Sequence, residues 1–496
     1  MKHTTKIIAF ILCISLLWLV LVSCGDDSQK NERGEKNAAE DAGNETQNEE
    51  TTSGEFAPDL PERDFGGATI QFLVRGGDDY EWDAIDIYAE EETGDAVNDA
   101  IYKRNRVVEA KYNVSLAETP VSVNDGNNVV NRIVKSGDMS YHAVIANGIE
   151  SLSMASNNLL LDLQEMPGIS LKDPWWDYAL NGDLSLCGRQ FYAACATNIM
   201  AYEATWIAMF NKKMLTDKGY APKNIYDMVK SGTWTLPNYI ELTKGYIVDI
   251  DGDGKMTDKD QYGTAGQGDL ATGFYIGAGL RYIEKDENNR LVLKSFDERA
   301  AGVLELVAEI CKTDVGFNSH GTMNKSGYPE YGRTLLAENR ALFFTETLLC
   351  VRALRDMADD FGVVPVPKYD ESQENYISLV HHWAVSLTSI HAACPDTEMT
   401  GIILEEMAYQ SNRTVLPVYF DIAINGKYLR DEESIEMIDY IMENRVMDLA
   451  LANNYGNLSS NILAAIYKGS FEFASIYDKA SDAVIKKLEA IMENLE

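Results

Sequence analysis

An acidic segment between Asp249 and Asp260 has the residue types and spacing of a calcium-binding loop; it reads DIDGDGKMTDKD. Calcium takes about six to eight oxygen ligands, which an EF-hand loop supplies from positions 1, 3, 5, 7, 9 and 12, with glycine at position 6. The matching ligands here are Asp249, Asp251, Asp253, the carbonyl of Lys255, Thr257 and Asp260, with Gly254 at the turn. We therefore expect a structural calcium ion, Ca²⁺, in this loop.

The twelfth position departs from the pattern because Asp260 replaces the usual glutamate. The shorter side chain has less reach for bidentate binding, so the affinity of the loop for calcium stays open. An acidic surface turn is the alternative interpretation. Under either interpretation, no neighbouring residue suggests catalysis.

A second chemical motif lies near the start of the chain, where Lys2 and Lys6 precede an apolar run from Ile7 to Val22. Basic residues before a short apolar segment are typical of an export signal, and a membrane-spanning helix needs about 20 apolar residues. The following tetrad, Leu21-Val22-Ser23-Cys24, resembles the lipobox of bacterial lipoproteins. The resemblance implies a signal peptide over residues 1–23, lipidation of Cys24 and anchoring at the extracellular face of the cell membrane.

Residues 24–63 are rich in acidic, amide and hydroxyl side chains and contain almost no large apolar ones. Such a segment buries too little apolar surface to offset its ordering entropy, so we expect a disordered acidic tether. The chain of 496 residues has a formal net charge of −35, which becomes −37 without residues 1–23. Because this charge repels nucleic acid, we expect no such partner.

The remaining part, about 435 residues, exceeds the size at which one hydrophobic core keeps growing, which predicts two lobes. Its first third alternates strand and helix patterns: strands at 68–74, 113–116 and 141–146, and helices at 95–112 and 129–135. This alternation predicts a mostly parallel sheet covered by helices. Ligands of such sheets bind beyond the carboxyl ends of the strands, here the segments 75–80 and 147–148.

Four segments further along resemble, in the same order, landmarks of extracellular solute-binding proteins of the maltose-binding type. They are Ala208 to Met214 (AMFNKKM), Trp234 to Pro237 (WTLP) opening a helix, Glu338 to Phe344 (ENRALFF) and Asp360 to Pro367 (DFGVVPVP). Each segment is a weak signal alone, whereas four in order are specific. The chain is thereby similar, over residues 64–496, to bacterial solute-binding lipoproteins of family 1, which serve ABC transporters.

That resemblance implies an α/β fold, namely two periplasmic-binding-protein-like lobes with a hinge and a ligand cleft between them. Carried onto this sequence, it implies a first lobe of 64–180 plus 336–386 and a second lobe of 181–335 plus 387–496. It further implies a monomer without catalytic residues. Such a protein captures a small solute, here expected to be a mono- or oligosaccharide, by hinge closure and delivers it to ABC permease subunits.

Sugars are held by aromatic faces and by carboxylate or amide groups that bond their hydroxyls. The predicted strand ends and the resemblance bring such side chains to the cleft, and Trp383, beside His381 and His382, is the first candidate. The predicted ligand-binding residues are Asp78, Asp79, Trp82, Asn147, Trp175, Trp176, Trp206, Glu346 and Trp383. Packing is the alternative for any single tryptophan, and Trp234 is assigned to packing.

The histidines and cysteines show no metal-ligand spacing. Neighbours on a strand point to opposite faces, so we expect one of His381 and His382 to be packed and the other to face the cleft. His142, within an apolar strand, is expected to be a hydrogen-bonded core residue. The other cysteines are expected to be small buried side chains, with one disulfide as the alternative: Cys187, Cys195, Cys311, Cys350 and Cys394.

Two other functions stay open at this point. A surface-anchored polysaccharide hydrolase needs only a carboxylate pair about 5–10 Å apart, and the chain has 78 acidic residues. It has no GxSxG, HExxH or GxxxxGK[ST] motif, which argues only modestly against hydrolysis. A binding protein that feeds a sensor has the same sequence features as one that feeds a transporter.

Overall fold

The computed structural model describes residues 56–78, 82–84, 87–312, 314–319, 330–421, 424, 429 and 431–495. The predicted signal peptide, Cys24, most of the predicted tether and Asp79 lie outside these residues. Residues 57–496 form one compact unit. Among the helices of the described part, none combines the length and the apolar composition needed to cross a bilayer.

Strands β1 to β14 are, in chain order, Ala68–Arg75, Val114–Val121, Ala143–Ala146, Tyr192–Ala193, Trp206–Asn211, Tyr262–Gly266, Ile283–Lys285, Leu291–Leu293, Gly316–Asn318, Ala341–Thr347, Phe361–Val364, Ser378–Leu379, Leu387–Ile390 and Arg445–Val446.

Helices α1 to α17 are, in chain order, Ala96–Tyr112, Gly126–Ser136, Gly148–Ser156, Tyr178–Leu184, Ile199–Glu203, Lys212–Asp217, Lys223–Lys230, Leu236–Lys244, Leu270–Gly277, Glu298–Ile310, Glu330–Ala337, Leu349–Ala353, Thr397–Gln410, Glu432–Glu443, Leu449–Asn453, Leu458–Lys468 and Phe473–Leu495.

The first lobe is built on a five-stranded sheet in the order β2-β1-β3-β13-β4. β1 pairs in parallel with both β2 and β3, and β13 runs antiparallel to β3 and β4. The predicted strand-helix alternation and the parallel pairing are confirmed here. Helix α1 begins at Asp95, whose carboxylate accepts from the backbone N–H of Val97 and Asn98, and it ends at Asn113 in the left-handed conformation.

The second lobe is built on a five-stranded sheet in the order β11-β5-β10-β6-β9. β10 is parallel to β6 and β6 to β9, whereas β5 is antiparallel to both β10 and β11. Trp234 is buried in this lobe, with its ring 5.4 Å from that of Phe343 and its Nε1 donating to the carbonyl of Pro365 at 2.8 Å. Its predicted packing role is confirmed.

The two sheets share one plan. In each sheet, the chain enters one strand directly from the other lobe, and this strand runs antiparallel to its neighbours. In the second sheet it is β5, which follows residues 194–205, and in the first sheet it is β13, which follows residues 365–386. Since an antiparallel strand starts where its parallel neighbours end, both crossing segments arrive at the carboxyl ends of parallel strands. The carboxyl edges of the two sheets therefore meet at the crossing segments.

This pairing corrects the lobe boundaries implied by the resemblance. β10 and β11 lie in the second sheet, although residues 336–386 were assigned to the first lobe, and β13 lies in the first sheet, although residues 387–496 were assigned to the second. After β13 the chain alternates between the two lobes. Helices α13 and α15 pack on α1 and α3 of the first lobe, and α14 and α16 pack on β11 and α9 of the second lobe. The order of landmarks along a sequence does not reveal which sheet each strand joins.

His142 is buried, and its Nδ1 accepts from the backbone N–H of Gln71 at 3.2 Å, so its core role is confirmed. Of the five cysteines expected to be buried, Cys195, Cys311 and Cys350 are buried, and Cys187 and Cys394 are half-buried.

Candidate ligand-binding cleft

The two crossing segments lie against each other and against the carboxyl edge of the first sheet. Thr205 forms a backbone bridge with Val380, and the N–H of His381 donates to the carbonyl of Ala204 at 2.8 Å. The N–H of Gly148, just after β3, donates to the carbonyl of His382 at 2.8 Å. The turn at residues 381–385 thus sits where strand ends of both lobes converge.

Arg75, the last residue of β1, holds this turn in place. Its buried guanidinium donates from Nη1 to the carbonyls of Trp383, Ala384 and Val385 at 2.9, 2.7 and 2.9 Å. The same guanidinium lies 5.5 Å from the centre of the Trp383 ring, within cation–π range. A buried cation with several carbonyl partners fixes the backbone of the turn, so Arg75 positions the residues that the turn presents.

Two of the predicted aromatic residues meet on the first-lobe side. The rings of Trp82 and Trp383 are 5.5 Å apart in an edge-to-face arrangement, and both side chains are half-buried. Trp383 Nε1 donates to Asn124 Oδ1 at 3.1 Å, just after β2. The pair forms a fixed apolar wall at the carboxyl edge of the first sheet, and such a wall suits the CH face of a sugar.

The second-lobe side contributes Glu346, near the end of β10. Its side chain is 1% exposed; Oε1 accepts the N–H of Thr347 at 2.9 Å, and Oε2 has no hydrogen-bond partner in the described part of the chain. Burial raises the pKa of this carboxyl to about 7. A buried carboxylate destabilises the protein when one of its oxygens accepts no hydrogen bond, and a bound partner that donates to this oxygen removes that cost.

The crossing segments 194–205 and 365–386 meet the carboxyl edges of both sheets at a junction that we call the seam. His381 and His382 stack on each other at this seam, with ring centres 4.8 Å apart. His381 Nε2 lies 3.2 Å from Asp269 Oδ2, and the His381 ring is 6.1 Å from that of Trp206. Burial lowers the pKa of His382 to about 3, so this ring is neutral. The expectation that the two rings point to opposite faces is wrong, because residues 382–384 form a turn and not a strand.

Several other buried polar atoms gather around the crossing segments without a hydrogen-bond partner among the described residues. They combine hydroxyl, indole and imidazole groups from both crossing segments and from the ends of β9 and β10: Thr205 Oγ1, Trp206 Nε1, Ser319 Oγ, Thr347 Oγ1 and His382 Nδ1. Each buried polar atom without a partner costs about 1–3 kcal/mol. The set is complementary to a ligand that carries many hydroxyl groups.

Trp175 and Trp176 do not belong to this site, which corrects their predicted role as ligand platforms. Both are 2% exposed, and their Nε1 atoms donate to Glu405 of α13 at 2.9 and 2.8 Å. The ring of Trp175 also packs edge-to-face on Tyr409, 5.1 Å away. Both rings are buried inside the first lobe and both N–H groups donate to Glu405, so neither tryptophan presents a ring face or a donor to a solute.

Asn147 is also corrected. It is fully buried and caps α3: its Oδ1 accepts from the N–H of Glu150 at 2.9 Å, and its Nδ2 donates to the carbonyl of Val123 at 3.0 Å. Asp78 lies at the predicted edge, where its Oδ2 accepts from the N–H of Val123 at 2.7 Å. Both side chains tie the loops after the strands to each other, and the part of Asp78 left for a ligand is its second oxygen.

Asp269 and Asn124 were missed by the sequence analysis. Asn124 follows β2, and Asp269 follows β6, a strand whose sequence, YGTAG, has two glycines and little strand character. The rule that ligands bind beyond strand ends finds both residues once the strands are known. The missing signal was the position of the short strands.

A small cavity lies at the carboxyl edge of the first sheet. This cavity, beside Arg75, Val123 and Glu150, holds only about 10 Å³, which is room for about one water molecule. A sugar is far larger than this cavity, so the cavity within the first lobe is not itself the sugar site.

The predicted calcium loop lies in the second lobe, away from the seam. The carboxylate oxygens of Asp249, Asp251 and Asp253 come within 4.8 Å of one another. Asp249 also accepts from the N–H of Gly252 at 2.7 Å and of Gly254 at 2.8 Å, which shapes the turn. The three aspartates thus fit a cation in both chemistry and spacing.

Asp260, the twelfth residue, is different because it is fully buried. Its Oδ1 accepts from the N–H of Ile250 at 2.9 Å, and its Oδ2 from the N–H and hydroxyl of Thr257 at 2.8 and 3.1 Å. Asp260 therefore holds the two ends of the loop together. The aspartate that replaces the usual glutamate at position 12 uses both of its oxygens for hydrogen bonds within the loop.

No protein-family profile matches the sequence, and no curated protein matches it. The GacH receptor of Streptomyces glaucescens, solved unliganded and with acarbose, matches with a TM-score of 0.54 and 12% identity, covering 85% of this chain and 99% of that one. MalE of Bdellovibrio bacteriovorus bound to maltotriose matches at 0.53 and 14% identity, with 85% and 100% coverage.

A third structure is the ABC substrate-binding protein Lmo0181 of Listeria monocytogenes in complex with cycloalternan, with a TM-score of 0.54, 12% identity, and coverage of 85% of this chain and 99% of that one. The three matches extend over nearly the whole of each compared chain. They show that this chain has the two-lobed α/β fold of periplasmic binding proteins, as the sequence predicted.

Proposed function

We propose that this chain is the solute-binding component of an ABC importer and that it captures a carbohydrate between its two lobes. One observation carries the proposal: buried hydroxyl, indole, imidazole and carboxyl groups that have no hydrogen-bond partner among the described residues gather where the carboxyl edges of both sheets meet. An aromatic pair, Trp82 and Trp383, lies at the same edge of the first sheet. Aromatic faces beside polar groups are what a sugar requires.

The compared proteins support the carbohydrate class. Acarbose, maltotriose and cycloalternan are the ligands in those three structures. At 12–14% identity the similarity extends to the fold, so the choice of a carbohydrate for this chain depends on the side chains at its own seam.

Binding follows from hinge closure. The lobes are joined by the crossing segments 194–205 and 365–386 and contact each other at the turn of residues 381–385. A solute that bonds to Trp383 on one side and Glu346 on the other interacts fully only when the lobes are closed. Its differential affinity for the closed state drives closure, and the closed form is what the permease subunits recognise.

We further propose that Cys24 carries the lipid anchor and that the acidic segment up to residue 63 tethers the lobes to the outer face of the membrane. Two or more acyl chains hold a protein on a bilayer firmly. Replacing this cysteine (Cys24→Ser) is expected to move the protein from the membrane fraction to the medium. A variant that stays with the membrane would contradict the anchor without affecting the binding proposal.

The binding proposal is tested by a thermal-shift screen of the mature protein against mono- and oligosaccharides, amino acids and short peptides. A ligand at 100 times its Kd adds about 2.7 kcal/mol of stability, which gives a clear upward shift. One sugar class is expected to produce it. Shifts with peptides only, or hydrolysis products in the sugar wells, would overturn the proposal.

A further inference from the structure

We infer that the solute is a sugar bearing an amino group, with Glu346 as the counterion of its ammonium. This inference rests on the proposed function and specifies the substrate class of the same cleft. Glu346 is the most buried carboxyl at the seam, and its Oε2 accepts no hydrogen bond from the part of the chain that the structure describes. An ammonium group has three N–H donors and a positive charge, so it would supply both the missing hydrogen bonds and the missing charge.

The cationic side chains around the seam are already committed to other partners. Arg75 donates to three backbone carbonyls. Arg352 lies 3.5 Å from Glu203, just before the first crossing segment reaches β5. His382 is kept neutral by burial, which lowers its pKa to about 3. Among the described residues, these groups are engaged elsewhere and do not give Glu346 a fixed basic partner.

Asp269 adds a second carboxylate on the same side. The side chain of Asp269 is 42% exposed, and its Oδ2 lies 3.2 Å from Nε2 of His381. The negative charge of Asp269 raises the pKa of Glu346, whereas His381 acts in the opposite direction. The groups that act on Glu346 are therefore the acid Asp269, His381, which is already paired with that acid, and the uncharged side-chain amide of Gln267.

This charge balance discriminates between classes of sugar. A uronic acid or a phosphorylated sugar would bring a further negative charge next to two carboxyl groups, and like charges that face each other across an interface oppose binding. A neutral sugar leaves the buried carboxyl uncompensated, so Glu346 must keep its proton. A cationic sugar pairs with the ionised carboxylate and gains a charge-assisted hydrogen bond.

Calorimetric titration of the mature protein tests the inference with matched ligands. The panel pairs glucosamine and galactosamine oligomers with their N-acetylated forms, in which an uncharged acetamide replaces each ammonium group, and adds a uronate oligomer. We expect at least tenfold tighter binding of the amino form and no binding of the uronate. Equal or tighter binding of an N-acetylated form would overturn the inference while leaving the proposed function intact.

A second readout is proton release. At pH 6.5 most of Glu346 is protonated, so an ammonium ligand is expected to displace up to about one proton, seen as a binding enthalpy that changes with the ionisation enthalpy of the buffer. The isosteric variant Glu346→Gln is expected to lose both the proton release and the preference for the amino form. Release that persists in this variant would contradict the assignment to Glu346.

The matched control is Glu118→Gln. Burial also raises the pKa of Glu118 to about 7, but this residue lies within β2, opposite Phe72 of β1 and away from the seam. The Glu118→Gln variant is expected to keep both the preference for the amino form of the sugar and the proton release. If no sugar of any charge binds the wild-type protein, the proposed function itself fails, which is a different outcome from binding without charge preference.

Discussion

Tryptophans of this chain show how the same residue type takes opposite roles. Trp383 is half-buried, with its ring edge-to-face on Trp82 and its Nε1 on an exposed asparagine, Asn124. Trp175 is fully packed, with its Nε1 on the buried Glu405. The difference lies in whether the ring has a face left for a solute.

Removing the ring of Trp383 is therefore expected to weaken sugar binding. Trp383→Ala loses about 1.5–3 kcal/mol of aromatic contact with the sugar, roughly a ten- to hundredfold increase in Kd, and it also lowers stability because the ring contacts Trp82. The control is Trp175→Phe, which loses a buried hydrogen bond and should lower the unfolding temperature at unchanged Kd. Calorimetric titration and thermal unfolding separate the two effects, and unchanged sugar affinity in Trp383→Ala would remove it from the site.

Glu405 is expected to be a determinant of stability and not of binding. Its two oxygens accept three N–H groups, from Trp175, Trp176 and Ser170. In Glu405→Gln the amide NH₂ replaces one acceptor and faces an indole N–H, which leaves a buried donor unsatisfied at about 1–3 kcal/mol. Urea unfolding is expected to show that loss. A variant with wild-type stability and altered sugar affinity would reverse the assignment.

The sequence pointed to Trp82, Trp206, Glu346 and Trp383, and the structure brings all four to the seam region. It failed for Trp175 and Trp176 because their acceptor, Glu405, lies about 230 residues further along the chain. A tryptophan pair in a polar, proline-containing segment looks like a surface platform until its partner is known. Only the tertiary structure reveals the pairing.

At the level of elements, the acidic loop between α8 and β6 is the part whose chemistry the sequence defined most sharply. Its spacing matched a calcium loop, and the structure brings Asp249, Asp251 and Asp253 together. The burial of Asp260 could not be predicted, because it depends on how the loop closes on Ile250 and Thr257.

Calcium is expected to stabilise the second lobe through this loop. At 100 times its Kd, calcium should add about 2.7 kcal/mol, measured as a rise in unfolding temperature over a sample with chelator. Asp251→Ala removes one carboxylate that has no part in the seam, so it should abolish the rise without changing sugar affinity. No response of the wild-type protein to calcium would favour the acidic surface turn.

The sheets were predictable in part for similar physical reasons. β1 and β3 are apolar runs with clear alternation of strand and helix around them, and both were recognised. β6 and β9 are short and contain glycine, so they carry little strand signal. The lobe membership of β10, β11 and β13 depends on pairing between segments more than 100 residues apart, which no local pattern records.

For the molecule as a whole, the buried carboxyls predict how stability depends on pH. Burial raises the pKa of Glu118, Glu346 and Glu405 to about 7. A carboxyl whose pKa is raised on folding stabilises the folded state when protonated, so its contribution is complete below about pH 4.5 and is lost as the pH rises through about 7. The lowered pKa values of His142, His382 and His391 oppose this only below about pH 6.5.

We therefore expect the ligand-free protein to be more stable at pH 6 than at pH 8. Each of the three carboxyls contributes about 1 kcal/mol over this interval, measured by urea unfolding at both values. Lower repulsion among the excess acidic groups acts in the same direction, so the control is Glu346→Gln, in which the difference should shrink by one carboxyl's share. An unchanged difference in that variant would show that its carboxyl does not titrate near neutral pH.

The central claim is that a carbohydrate binds between the two lobes and closes them. Hydrogen–deuterium exchange of the mature protein with and without the sugar that stabilises it tests this most directly. We predict slower exchange in segments from both lobes at once: around residues 75–78 and 121–124 of the first, 266–270 and 345–348 of the second, and the crossing turn 380–386. Protection confined to one lobe, or to a surface away from this seam, would contradict the account.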